Sequence, residues 1–126
     1  MYKVLLSAGR PDALSELAAG LEKDGRARLH WARGDQETLV LTKELAPHLV
    51  LIDGQGREKE ALALVSELLM VNAMVNTAVV SAMDEEEFHE TSEGLGILAS
   101  LPPSPGAGLA EGLLDKLASV AGPPPA

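Results

Sequence analysis

At 126 residues the chain holds about one domain, and with no cysteine it can have neither a disulfide framework nor a thiolate metal site or nucleophile. Ten basic against nineteen acidic residues give a formal net charge of −9, which repels nucleic-acid phosphates and anionic lipid headgroups. Tyr2, Trp31 and Phe88 are the only aromatics, too few for a base-stacking surface, and no apolar run reaches the roughly 18–20 residues that span a bilayer. Met1 to Ser7 leads straight into folded pattern with no signal peptide visible. The expectation is a cytoplasmic protein with neither nucleic acid nor membrane as partner.

Short aliphatic runs alternate with longer helical ones, five times over. Lys3 to Ser7 is an apolar run ended by Ala8-Gly9, the pattern of a strand buried on both faces. Pro11 suits a first helical residue, where its missing N–H costs nothing; Leu14, Leu17, Ala18 and Leu21 follow at helical spacing, and Asp24-Gly25 stops the helix. Ala27 to Ala32 is a shorter, more polar strand suited to a sheet edge. Asp35 reads as the N-cap of a helix carrying Leu39, Leu41 and Leu45 and closed by Pro47.

His48 to Asp53 is the third and most apolar strand, followed by a Gly54-Gln55-Gly56 loop and a helix from Glu58 to Met70 with Ala61, Leu64, Val65 and Leu68 on one face. Thr77 to Ser81 is the fourth strand. Asp84 to Glu87 suits a helix N-terminus, but few apolar residues follow before Gly94. Gly96 to Leu101 is the fifth strand, ended by Pro102-Pro103. Leu109, Leu113, Leu117 and Val120 mark the stripe of a last helix. The domain therefore spans residues 1–121, and 122–126 form a Pro-rich C-terminal tail. This alternation implies a single-domain α/β fold, a parallel sheet with helices on both faces, whose ligand sites lie at the carboxyl ends of the strands.

The residues at those strand ends carry a resemblance. Pro47-His48-Leu49-Val50-Leu51-Ile52-Asp53 resembles the strand leading to the phosphorylated aspartate in the receiver domains of two-component response regulators. Val79-Val80-Ser81-Ala82 resembles that family's strand ending in Thr or Ser then Ala, and Ser92-Glu93-Gly94 with Leu101-Pro102 matches the spacing of its Glu-Ala-Gly and Lys-Pro elements. The resemblance covers nearly the whole chain. It implies a flavodoxin-like (βα)5 domain with a five-stranded parallel sheet of order 2-1-3-4-5, with Asp53 and Ser81 facing one another at one edge.

Such a domain needs an acidic pair after the first strand to hold Mg²⁺ with the acceptor Asp, a Thr or Ser and a Lys on the phosphoryl oxygens, and an aromatic on the fifth strand. By the resemblance, Asp53 matches the acceptor and Ser81 the hydroxyl. Ala8 and Gly9 replace the acidic pair, Leu101 replaces the Lys and Leu98 the switch aromatic, with Asp12 further on in the first helical turn. Asp53 is then read as capping its own loop and Ser81 as a local backbone hydrogen-bonder, a vestigial phospho-acceptor pocket. His30, His48 and His89 have no metal-ligand spacing, so no metal is expected.

Gly54-Gln55-Gly56 and Gly106-Ala107-Gly108 are read as turns rather than phosphate loops. Trp31 is either edge-strand packing or an exposed contact. The sequence thus points to a degenerate receiver without catalytic residues or cofactor, a phosphorylation-independent module for protein–protein interaction in bacterial-type signalling or protein positioning. By the resemblance, its protein partner would meet the fourth helix, fifth strand and fifth helix, from about Glu85 to Ala118. Two alternatives stay open: a working phospho-acceptor using Asp53, and a flavodoxin-like binder of a small ligand or nucleotide. The scarcity of aromatics argues against flavin, and cobalamin lacks its Asp-x-His-x-x-Gly element after Asp53.

Overall fold

The computed structural model describes residues 1–125. The five aliphatic runs form β1 (Tyr2–Ser7), β2 (Ala27–Ala32), β3 (Leu49–Asp53), β4 (Asn76–Val80) and β5 (Ala99–Leu101). All pairings are parallel, and the order across the sheet is β2-β1-β3-β4-β5. The helices are α1 (Ser15–Asp24), α2 (Asp35–Leu45), α3 (Glu58–Val71), α4 (Glu85–Thr91) and α5 (Ala110–Ala121).

Because successive strand side chains point to opposite faces, each central strand feeds two cores. Val4 and Leu6 of β1, Leu49 and Leu51 of β3, and Ala78 and Val80 of β4 pack with Leu14, Leu17 and Leu21 beside α5's Leu113, Leu114 and Leu117. Leu5, Val50, Ile52 and Val79 face the other way, onto Ala61, Leu64, Val65 and Leu68 of α3 and Phe88 of α4. Each fully buried leucine contributes about 1.5–3 kcal/mol relative to exposure, which makes this two-sided burial the main source of cohesion. No helix among the described residues is long and apolar enough to cross a membrane.

Several local expectations change. Pro11 opens a 3-10 turn, Pro11–Leu14, and α1 proper begins at Ser15; Asp12 lies exposed in that turn. Gly34, in extended conformation, is the residue that precedes α2, so Asp35 is its first helical residue rather than its N-cap. Nor does α2 bury its leucines fully. Thr38 and Thr42 are its buried residues, while Leu39 and Leu41 pack only partly. For Thr38 the reason is polar pairing beneath the helix: the Ser7 and Thr38 hydroxyls are 2.6 Å apart, and Thr38 Oγ1 donates onward to Gly34 O at 2.7 Å, whereas the buried Thr42 hydroxyl has no hydrogen-bond partner among the described residues.

β5 has three residues instead of six: Gly96 takes a left-handed φ of 62°, and Ile97 and Leu98 precede the strand, although Leu98 N–H already donates to Thr77 O at 2.8 Å. The stripe of α5 is Ala110, Leu113, Leu114 and Leu117, whereas Leu109 and Val120 are exposed. Leu109 belongs to the 3-10 turn Ala107–Leu109 before the helix, and Val120 lies in its last turn. α4 is the shortest helix. Asp84 caps it, Oδ1 accepting from Glu87 N–H at 2.8 Å, and Phe88 is its buried residue. Trp31, on edge strand β2, is exposed.

The segment from Gly122 to Pro125 folds back on β1: the Tyr2 hydroxyl donates to Gly122 O, and the Met1 ammonium to Pro125 O. Ala126 lies outside the described residues. At the amino edge, His48 Nδ1 accepts from Lys3 N–H at 2.9 Å, just before β3 begins. Burial there, then the Lys3 charge, pushes the His48 imidazole below its ordinary range.

Two helical glycines differ in a measurable way. A Cβ on Gly20 would lie 2.4 Å from Ala107 O and 2.8 Å from its Cα, backbone that cannot step aside, whereas one on Gly112 meets nothing within 4 Å. Gly20→Ala should therefore cost about 1–3 kcal/mol by overpacking, despite the better helix propensity of alanine. Gly112→Ala should instead stabilise by up to about 1 kcal/mol. Urea melts of both variants check this pair of opposite signs.

Candidate functional site

The parallel register brings the strand ends to one edge. Asp53 closes β3 opposite Val80 of β4, and Ser81 follows immediately, its N–H donating to Leu101 O at 2.9 Å. Asp53 and Ser81 are both buried, at 7% and 5% exposure, which leaves them little access to solvent. Ser81 lies one residue beyond β4 rather than within it.

Asp53 is tied to its own loop. Its Oδ1 accepts from Gln55 N–H at 3.3 Å, while Arg57 N–H donates to Gly54 O at 3.0 Å and closes the turn. Gly54 N–H bonds Val80 O at 2.9 Å, so the chain after Asp53 presses on β4. A Cβ at position 54 would meet Val80 O at 2.8 Å and Val79 Cγ1 at 2.9 Å, and only glycine fits that approach.

The partner that Ser81 finds is Glu58, the first residue of α3. Glu58 Oε2 accepts from the Ser81 hydroxyl at 3.3 Å and from Ala82 N–H at 3.1 Å, and Ser81 Oγ in turn accepts from Met83 N–H at 3.0 Å. The Ala82 N–H is the main influence that lowers the Glu58 pKa, opposed by burial and helped by its own backbone N–H and the Ser81 hydroxyl. Sequence reasoning placed Glu58 only as the start of a helix. The available signal was the short Gly54–Arg57 loop, which begins α3 close to the end of β4. Beside it, Arg57 pairs with Asp35 at 2.7 Å and joins the starts of α2 and α3. Asp35 holds the guanidinium pKa above its ordinary value.

The other positions implied by the resemblance carry apolar or missing side chains. Ala8 is 3% exposed and belongs to the core on the α1 side. Gly9 is exposed, with Arg33 O the nearest atom to a built Cβ, at 3.9 Å. Leu101 is buried in that same core, and Leu98 packs half-buried against it. Among the described residues, no group of three or more His, Cys, Asp or Glu side chains is placed to hold a metal ion.

Because the Glu58 carboxylate pKa is lowered in the fold, the unfolded chain binds the proton more readily. Its stabilising contribution is then fully present above the unfolded value, about 4.3, and is lost as pH falls through the lower folded value. Glu58→Gln should be less stable than the parent at neutral pH, and the gap should close as pH falls below about 4. Denaturant melts of both proteins across that range measure it; a gap independent of pH would contradict the assignment.

No family model and no curated protein matches the sequence. Solved structures do match its fold over most of the chain. A response regulator from Thermotoga maritima is 20% identical with a TM-score of 0.82, over 94% of this chain and 98% of that one. A pilus assembly protein CpaE from Caulobacter crescentus is 16% identical with a TM-score of 0.72, over 93% and 99%. A Burkholderia pseudomallei response regulator, solved with a phosphorylated aspartic acid and a calcium ion, is 18% identical with a TM-score of 0.74, over 93% and 66%. With strand order 2-1-3-4-5 and these neighbours, the chain has the flavodoxin-like fold of response-regulator receiver domains.

Proposed function

We propose that this domain is a phosphorylation-independent, non-enzymatic protein–protein interaction module, serving in signalling or in positioning another protein. The observation that carries the reading is Leu101. The position that the resemblance gives to a phosphate-neutralising Lys holds an apolar side chain turned into the core. Ala8 and Gly9 add no carboxylate beside Asp53, and a divalent cation that demands several oxygen ligands gains little from one. Phosphoryl transfer relies on positioning and charge stabilisation, and this edge offers Asp53 few groups that supply either.

The contact surface we assign is α4, β5 and α5. α4 presents Glu85, Glu86, Glu87 and Glu90 to solvent. A groove of about 300 Å³ runs between β5 and α5, with Ser100, Leu109, Gly112 and Lys116 in its walls. Leu109 there is 37% exposed, enough to offer an apolar contact. Receiver folds occur in proteins described as response regulators and as pilus assembly proteins, which is compatible with either setting.

The second reading, a working phospho-acceptor, draws on the placement of Asp53 and Ser81 at one edge. Incubation with acetyl phosphate and Mg²⁺ followed by intact-mass measurement separates the two. The expected result is an unchanged mass. A single phosphoryl adduct that disappears in Asp53→Asn would overturn the proposal and establish the acceptor.

A further inference from the structure

The loop after β4 is short, exposed at Ala82, and leads directly into the cap of α4. Its three residues Ser81 to Met83 are held by a hydrogen-bond relay with one anion at its root. Glu58 Oε2 receives two donors from this loop, the Ser81 hydroxyl and the Ala82 N–H, and the same Ser81 oxygen receives Met83 N–H. The next residue, Asp84, caps α4 through Glu87 N–H. α4 itself is anchored in the core by Phe88, with its other residues exposed. One buried side chain is a weak hold for a seven-residue helix, since helices of this length owe their stability to packing.

We infer that Glu58 is a positioning residue, an internal anion that latches the β4–α4 loop to the start of α3 and thereby sets the placement of α4. The latch needs no bound phosphate, because its negative charge is part of the chain. The acceptor takes two donors from adjacent residues, Ala82 N–H at 3.1 Å and the Ser81 hydroxyl at a longer 3.3 Å, so the loop is held at two points and its direction is set. Its lowered pKa, driven first by the Ala82 N–H, accords with a carboxylate that stays ionised at neutral pH. The inference deepens the interaction-module reading, on which its functional meaning rests, since α4 is part of the contact surface assigned above.

Residue-resolved amide hydrogen exchange on the full chain tests the latch. In Glu58→Ala and Glu58→Gln, exchange at Ala82, Met83 and the first turn of α4 should accelerate about tenfold or more. The β3 amides Leu51 and Ile52 should accelerate by no more than the loss of global stability seen in the melts accounts for, well short of the loop, and Asp53→Asn should leave the loop as in the parent. Ser81→Ala, which keeps the Ala82 bond but deletes the other two, should accelerate Met83 more than Ala82. Unchanged loop exchange in both Glu58 variants would overturn the latch. So would equal acceleration of loop and β3 amides, because that is global destabilisation. Failure of the interaction-module reading shows separately, as a phosphoryl adduct on Asp53 in the mass experiment, so the two failures cannot be confused.

Discussion

Parallel pairing of β1, β3 and β4 buries both faces of the central strands, and the rest of the molecule answers to that constraint. A parallel strand has no hairpin return, so each crossover must travel back along a face, and helices are the economical way to cover the aliphatic side chains there. Leu49 and Leu51 on one face and Val50 and Ile52 on the other split a single run into two cores. The same register aligns the carboxyl ends of all five strands. Whatever chemistry or contact the domain performs at that edge is positioned by the sheet, and only its side chains remain to be chosen.

Those side chains are apolar or bonded within the chain. Ala8 and Leu101 are both core residues, packed in the same cluster beneath α1 and α5. The apolar interior thus reaches out to this edge, to places where charged groups would have to be desolvated or paired. Asp53 and Ser81 are the polar residues left there, and each has a local partner: Gln55 N–H for the carboxylate, Glu58 and Met83 N–H for the hydroxyl. Buried polar groups cost free energy unless they are hydrogen-bonded, and here the bonds come from within the chain.

Glu58 connects this edge to the surface assigned for partners. It starts α3 and receives the loop after β4 at Ser81 and Ala82, three and two residues before the Asp84 cap of α4. The acidic α4 and the β5–α5 groove flank the same end of the sheet, with β5 between them. On the function proposed above, a contact helix held by the chain's own carboxylate would keep its resting arrangement without phosphate.

Strand identity, helix count and fold class were legible because buried parallel strands read as short aliphatic runs, and those such as Leu49 to Ile52 are brief, bounded by turn signals and alternate with longer helical patterns. The likeness of the Asp53 and Ser81 segments carried the strand order. Local patterns failed where a neighbour in space outweighed them. Thr38 is buried in α2 because Ser7 lies beneath it, and the stripe of α5 moved to Leu114 because Leu109 fell in a preceding turn. Glu58 was missed for the same reason: its partners Ser81 and Ala82 lie far along the chain, and the short Gly54–Arg57 loop beside it hints only at where α3 begins. Periodicity and composition are local quantities, and they determined the elements; the apolar side chains at Ala8, Leu98 and Leu101 gained their meaning only from the resemblance. Hydrogen bonding across the sheet edge is a tertiary quantity, and it alone decided which carboxylate the Ser81 hydroxyl meets.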